Sequence, residues 1–439
     1  MRLSGAIFVV VWMFASSSHA SPTSNRDVLR VGSPESVGLL SQPLKDMVAN
    51  LTHFTESRNW GSPSHNQQVP IEPGGTTLVA HKGVIVSHFA FGQRNVWASV
   101  NGSTGTKLPA NKQENATIDT LYDLASLTKM FTTVAALRCI DKGLFSLNGT
   151  VATWLPDFAE NGKGKVTVLQ LLTHTSGFDA DPEPGLYTAT YPTYASRTKR
   201  IVTYPLKNAP GKVFLYSDLN FMNLMLLIEK VTGKKHDEVI GEFTNLMGMN
   251  DTFFNRGNIE GPSFPPYGRI ATQEFQEVVL GSEEPKRPQP IRGTVHDENA
   301  WSLDGVSGHA GLFSTVLDTA KMCQMILNNG TYNGHSILTP ASVNLIFTNL
   351  NARFGAGYEH GVGFELNQYY TAGPMANLLA ASHTGFTGTS MVIDRASDTL
   401  FLHFANRVHP SREWSSNNVA RETVGAWVAK SLGRDVKFP

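Results

Sequence analysis

The stretch LYDLASLTKMFTTVAALRCIDKG, residues 121–143, decides how the rest of the chain is read. Ser126 and Lys129 stand three residues apart at the head of a run with apolar side chains at 127, 130, 131, 134, 137 and 140. That is helical spacing, and Gly143 closes it. The helix is apolar around most of its circumference, so its first turn must be partly buried. Residues i and i+3 share a helix face, which brings the Lys129 amine to the Ser126 hydroxyl. Burial disfavours a charged amine, and a neutral lysine can accept a serine proton. The helix start also offers backbone N–H groups to a developing oxyanion.

The chain carries its own control. SRTK at 196–199 repeats the Ser-x-x-Lys spacing inside TYASRTKRI, where a second basic residue adjoins Lys199 and apolar periodicity is missing. This copy reads as a solvated segment. Spacing alone therefore carries no chemistry.

Around these segments the chain alternates structural types. GTTLVAHKGVIVSHFAFGQRN (75–95) reads as strand, turn and strand, broken at Lys82-Gly83. VTVLQLLTHTSG (166–177) reads as a buried helix ending in a turn, with His174 a structural turn residue. Residues 179–194 form a Pro/Gly loop with Tyr187, Tyr191 and Tyr194, a candidate lid. FMNLMLLIEKVTGKK (221–235) is a second apolar helix stopped by Gly233, and 255–292 reads as exposed loop. A helix follows at 314–330, capped by Ser314 or Thr315; strand signals return at 388–406, and a helix near 418–432 ends the chain. Strands at both ends with helices between them predict an α+β fold, one domain with two lobes spanning 21–439.

The first twenty residues read as a signal peptide: Arg2, the apolar LSGAIFVVVWMFA, then Ser18 and Ala20 before the expected cut. No later segment is apolar for long enough to span a bilayer, so the expected address is extracellular. Sequons at Asn50, Asn101, Asn115, Asn148, Asn250 and Asn329 permit glycosylation on that route. Basic and acidic residues balance at 36 each, which disfavours nucleic acid and anionic membranes as partners. The two cysteines, Cys139 and Cys323, fall in apolar helical patterns and read as buried thiols or as one long-range disulfide. No His-Glu-x-x-His, P-loop or dinucleotide fingerprint occurs, so neither a metal nor a cofactor is expected. His296, Asp297, Glu298 and His309 could line a polar pocket or bind a metal, but without paired-ligand spacing they read first as loop hydrogen-bonding groups.

Two further segments give Ser126 company. FLYSDLNF (214–221) places Tyr216 and Asp218 before a buried helix, and ASHTGFTGTSMVID (381–394) sets His-Thr-Gly at a strand edge. With DLASLTKMFTTVAAL, LLTHTSG and GHAGLFST, these resemble the serine β-lactamase and penicillin-binding-protein superfamily, in its class C-related branch. That branch includes β-lactamase-fold esterases, D-amino-acid peptidases and acyltransferases. RGTVHDENAWSLDGVSGHAGLFST (292–315) is similar to a subgroup with muramyl-alanine amidases. The resemblance spans roughly residues 70–430 and implies an antiparallel sheet flanked by helices plus a mainly helical lobe.

It implies Ser126 as the acylated nucleophile, Lys129 as its proton acceptor and Tyr216 as proton shuttle. Asp218, His383, Thr384, Gly385 and Phe386 would line the substrate, with the N–H groups of Ser126 and Phe386 as the oxyanion hole. Two positions depart from the pattern. Asp218 stands where β-lactamases usually have Asn and cannot donate to a substrate amide carbonyl. His383 replaces the usual Lys and would hold a substrate carboxylate only when protonated. Both lean toward esters or uncharged amides. An acyltransferase would share every catalytic residue; a non-catalytic binding protein would have lost Ser126, Lys129 or Tyr216, and all three are present.

Overall fold

The computed structural model describes residues 27–60, 68–276 and 287–438. The candidate signal peptide and residues 277–286 of the expected 255–292 loop lie outside them.

An eight-stranded sheet is built from the two ends of the chain. Its main strands are β1 (Arg30–Val31), β2 (Gly74–His81), β3 (Val84–Asn95), β4 (Glu365–Leu366), β5 (Ala380–Thr384), β6 (Ser390–Asp394) and β7 (Thr399–Ala405). They run in the order β1-β3-β2-β7-β6-β5-β4, and Glu114–Asn115 adds to β3. All pairs are antiparallel except β1 with β3. The strand–turn–strand signal at 75–95 becomes the β2–β3 hairpin, turned at Lys82 and Gly83, both with positive φ.

The helices that matter below are α1 (Ser41–His53), α2 (Thr128–Asp141), α3 (Tyr194–Thr203), α4 (Asp218–Thr232), α5 (Val316–Leu327) and α6 (Asn418–Ser431). Side chains alternate across each strand, which divides the core in two. Val79, Val392 and Phe401 pack with Met47, Leu51, Val424 and Val428 of α1 and α6. Leu78, Ile393, Leu400 and Leu402 face the opposite way into the larger core, with Met130, Phe131 and Val134 of α2. Helix α2 is thus enclosed between sheet and helical lobe, which explains its apolar circumference.

One expectation is corrected. The segment from Ile270 to Gln276, expected as exposed loop, is buried. Its backbone is paired with distant segments: Ala271 N–H donates to Leu121 O at 2.9 Å and Thr272 N–H to Arg94 O at 2.8 Å. The SRTK copy lies in a helix, α3, that buries only Ile201 and leaves Lys199 exposed, in keeping with a solvated segment.

Candidate active site

Ser126 is placed by a kink. Tyr122–Asp123 pairs with Leu312–Ser314, and the buried Asp123 carboxylate accepts from Ala125 N–H at 2.8 Å and His296 N–H at 2.6 Å. Held this way, Ala125 adopts φ +45°, a left-handed conformation costing an alanine about 1 kcal/mol. The chain then enters a 3-10 turn, Ala125–Leu127, that leads into α2. Ser126 sits half-buried at that junction, with Lys129 fully buried behind it.

Lys129 Nζ meets three oxygens: Ser126 Oγ at 2.9 Å, the His309 carbonyl at 3.1 Å and Asp218 Oδ1 at 2.7 Å. The first two are hydrogen bonds and the third is an ion-pair contact with a carboxylate, which favours the ammonium over the neutral amine. Burial opposes the charge, but the Asp218 carboxylate and the Tyr216 oxygen outweigh it and raise the Lys129 pKa. The expectation of a resting neutral lysine is therefore corrected. Burial alone argued for it, and the carboxylate at 218 reverses the sign.

Tyr216 and Asp218 straddle the start of α4. Ser217 N–H and Asn220 Nδ2 both donate to His174 Nδ1, at 3.0 and 3.1 Å. His174 has φ +54° and stacks on Tyr216 with ring centroids 4.6 Å apart. It is a structural residue that shapes the floor beneath the tyrosine. The Tyr216 hydroxyl interacts with both Ser126 and Lys129, and burial pushes it up to about 12 despite the neighbouring ammonium. Asp218 faces Lys129 instead of standing free for substrate.

Behind Asp218 lies a group that the sequence reading assigned to loop hydrogen bonding. His309 Nε2 lies 2.9 Å from Asp297 Oδ1 and 3.9 Å from Asp218 Oδ2, while Nδ1 meets Ser307 Oγ at 2.7 Å. Burial resists the imidazolium, but the two carboxylates prevail and raise its pKa. Asp181, on the candidate lid, faces the same group. Asp218 N–H donates to Ala180 O at 2.8 Å, and Leu186 N–H donates to Asn299 Oδ1 at 2.8 Å, next to Asp297. The carboxyl stays exposed, yet desolvation within the cleft and the charges of Asp218 and Asp297 push it up to about 7. The one signal for this cluster was VHDENAWSLDGVSGHAG, polar residues in an otherwise apolar setting.

Ligand atoms of Asp218, Asp297 and His309 lie within 4.8 Å of one another, a set that could hold a cation. Lys129 already supplies positive charge to Asp218, and the two carboxylates favour the charged form of His309.

The opposite wall is the end of β5. His383 is 2% exposed, and its Nδ1 donates to Thr384 O at 2.8 Å. Burial, with Lys129 nearby, lowers it to about 3, so its imidazole is neutral at physiological pH and cannot hold a carboxylate. Thr384 is half-buried and Phe386 exposed. Gly385 is required by contact, because a Cβ there would lie 2.0 Å from Thr389 Oγ1 and 2.4 Å from Leu124 O. Thr387 Oγ1 donates to Asp123 O at 2.7 Å and Thr389 Oγ1 to Leu124 O at 3.0 Å, fastening this edge to the chain just before Ser126. Five elements far apart in sequence thus converge on one cleft.

Elsewhere, Cys139 and Cys323 are buried free thiols. Asn101, Asn115, Asn148, Asn250 and Asn329 are exposed, whereas Asn50 is half-buried and accepts from Trp427 Nε1 at 3.0 Å. No helix among the described residues is long and apolar enough to cross a membrane.

A buried Ser-x-x-Lys pair facing a strand edge beside a tyrosine-bearing helical lobe fits the fold of the serine β-lactamase and penicillin-binding-protein superfamily. The chain belongs to the β-lactamase family, whose model matches residues 67–426. It is 31% identical over 401 residues to an Escherichia coli K12 protein named "Putative D-alanyl-D-alanine carboxypeptidase", covering 87% of this chain and 86% of that one. Among solved structures it is similar to the octameric penicillin-binding-protein homologue from Pyrococcus abyssi, with TM-score 0.61 and 19% identity over 89% of this chain and 77% of that one. EstCE1, described as a hydrolase with promiscuous acyltransferase activity, aligns with TM-score 0.61 and 19% identity over 87% and 99% of the two chains.

Proposed function

We propose that this protein is a secreted serine hydrolase that cleaves small esters or uncharged amides through an acyl-Ser126 intermediate. The carrying observation is the Lys129 ammonium held between Ser126 Oγ and Asp218. An ammonium has no lone pair, so Lys129 can take the Ser126 proton only while handing one of its own to the Asp218 carboxylate. As Ser126 Oγ bonds to the substrate carbonyl carbon, the oxyanion falls to the N–H groups of Ser126 and Phe386. Asp218 then returns the proton through Lys129 and Tyr216 to the leaving oxygen or nitrogen as its bond to carbon breaks. Water repeats the sequence on the acyl-enzyme and releases the acid. Secretion, and glycosylation at the exposed sequons, follow the N-terminal leader pattern and belong to the same proposal.

The E. coli relative's name supports a second reading, a peptidase for peptides ending in D-alanine. Such substrates carry a carboxylate beside the scissile bond, and the neutral His383 supplies no charge to hold it. The EstCE1 likeness supports a third, in which an alcohol or amine replaces water on the acyl-enzyme. One experiment separates them: incubate the mature protein with activated esters, neutral amides and a D-Ala-D-Ala peptide, with and without an added alcohol. Ester turnover at least tenfold above peptide turnover, with free acid as product, supports the proposal. Faster peptide cleavage overturns it in favour of the peptidase, and a transferred acyl group favours the transferase.

A further inference from the structure

Arg421 lies in the first turn of α6 and is 5% exposed. Its hydrogen bonds among the described residues go to oxygens without charge. Nη2 donates to Gly385 O at 2.9 Å and Thr389 O at 3.3 Å, and Nη1 to Asn418 Oδ1 at 2.8 Å. Its Nε has no hydrogen-bond partner. A buried cation without a hydrogen-bonded carboxylate is expensive to keep. The groups facing it at longer range are Glu72, Tyr370 and Glu365; Glu365 accepts from Tyr370 Oη at 2.5 Å, and burial raises it to about 7.

The position of that cation is informative. Gly385 O and Phe386 N–H belong to one trans peptide group and point in opposite directions. The carbonyl is anchored on the α6 side by Arg421 and by Gly388 N–H at 3.0 Å. Its N–H is therefore turned away from α6, on the side where Thr387 and Thr389 tie this edge to the segment carrying Ser126. A charged donor on a peptide oxygen draws electrons from the amide and strengthens its N–H as a donor.

We propose that Arg421 is a positioning residue for the oxyanion hole, fixing and polarising the Gly385–Phe386 peptide so that Phe386 N–H stabilises negative charge on the reacting oxygen. It touches neither substrate nor nucleophile. This role rests on the acyl-serine function proposed above.

The difference from a merely structural arginine is where the loss is felt. Arg421→Gln keeps a donor of similar reach without the charge, and Arg421→Lys keeps the charge. For R421Q, kcat on an activated ester is expected to fall about 10- to 100-fold, below the loss from deleting an oxyanion donor outright. KM stays within about twofold, because the ground-state carbonyl bears little charge. An alkyl boronic acid, which forms an anionic tetrahedral adduct on a serine, should lose affinity by the same factor. R421K should recover most of both. If R421Q does not fold, R421K against wild type carries the test: unchanged KM, with kcat and boronate affinity lowered together by less than tenfold.

Equal boronate affinity in wild type and the folded variants overturns the proposal, as does a rise in KM with kcat preserved. Equal damage in R421K and R421Q overturns the role of charge. Failure of the wild-type enzyme to bind boronate on Ser126 is a separate result: it defeats the hydrolase function itself, and this proposal with it.

Discussion

Two Ser-x-x-Lys sequences occur in this chain, and both lie at helix starts. In α3, Ser196 completes a capping box: Ser196 N–H donates to Thr193 Oγ1 at 3.1 Å, and Thr193 N–H donates to Ser196 Oγ at 3.1 Å. Its hydroxyl is spent on the helix end, and Lys199 is exposed. At the head of α2, the segment is kinked at Ala125, so Ser126 caps nothing, and Lys129 is enclosed with a carboxylate for company. The same four-residue pattern is a structural cap in one place and, in the function proposed above, a nucleophile with its proton carrier in the other. The difference lies in what surrounds the lysine.

Ser126→Ala should sharpen that contrast most. Ester hydrolysis is expected to fall about 10⁴-fold or more, as when a nucleophile is removed from comparable sites. Ser196→Ala should leave it within twofold. Steady-state rates of both variants decide this, and equal losses would break the distinction.

Asp218→Asn comes next. It removes the carboxylate that holds Lys129 charged, so the Lys129 pKa falls toward or below its ordinary value. The lysine must then lose its own proton to act as a base. At pH 7, kcat/KM should drop about 100-fold, within the range of a lost proton-transfer group. It should climb from pH 7 to 9, while wild type stays flat over that interval. Parallel pH–rate profiles would contradict the relay.

A smaller effect is expected at Asp181. With its pKa near 7, this carboxyl is neutral at pH 6 and charged at pH 8. Preference for an ester bearing an ammonium group over its neutral isostere should therefore rise about three- to fivefold from pH 6 to 8, a cleft-screened ion pair. Asp181→Asn should abolish the rise, which paired kcat/KM measurements will show.

The smallest effect belongs to the other serine. Ser196→Ala loses the capping box and should cost about 0.5–1 kcal/mol of stability, read by chemical denaturation. An activity change there would show that α3 does more than close its own end.

The sequence displayed the fold through periodicity and punctuation. The hairpin at Lys82-Gly83, the α4 stop at Gly233 and the two C-terminal strands lie where turn residues and alternation placed them. Ser126, Lys129, Tyr216 and the His-Thr-Gly edge were legible through ordered company, and the structure brings them to one cleft. The state of Lys129 was not legible, because a charge depends on partners that only the fold supplies: Asp218 across the cleft and the His309 carbonyl from 180 residues away. Arg421 was hidden for the same reason. A lone arginine in an amphipathic helix reads as surface until its contact with Gly385 is seen. Segment 270–276 misled because its backbone partners, Leu121, Arg94, Ile291 and Pro410, are scattered along the chain, which leaves no periodic trace.

The central claim is that Ser126 is acylated while Ser196 is not. The most direct measurement incubates the purified protein with an activated ester, quenches within seconds and maps the acyl mass by peptide mass spectrometry. The account predicts a single adduct on the peptide containing Ser126, lost in Ser126→Ala and retained in Ser196→Ala. An adduct elsewhere, or ester turnover that persists unchanged in Ser126→Ala, would contradict it.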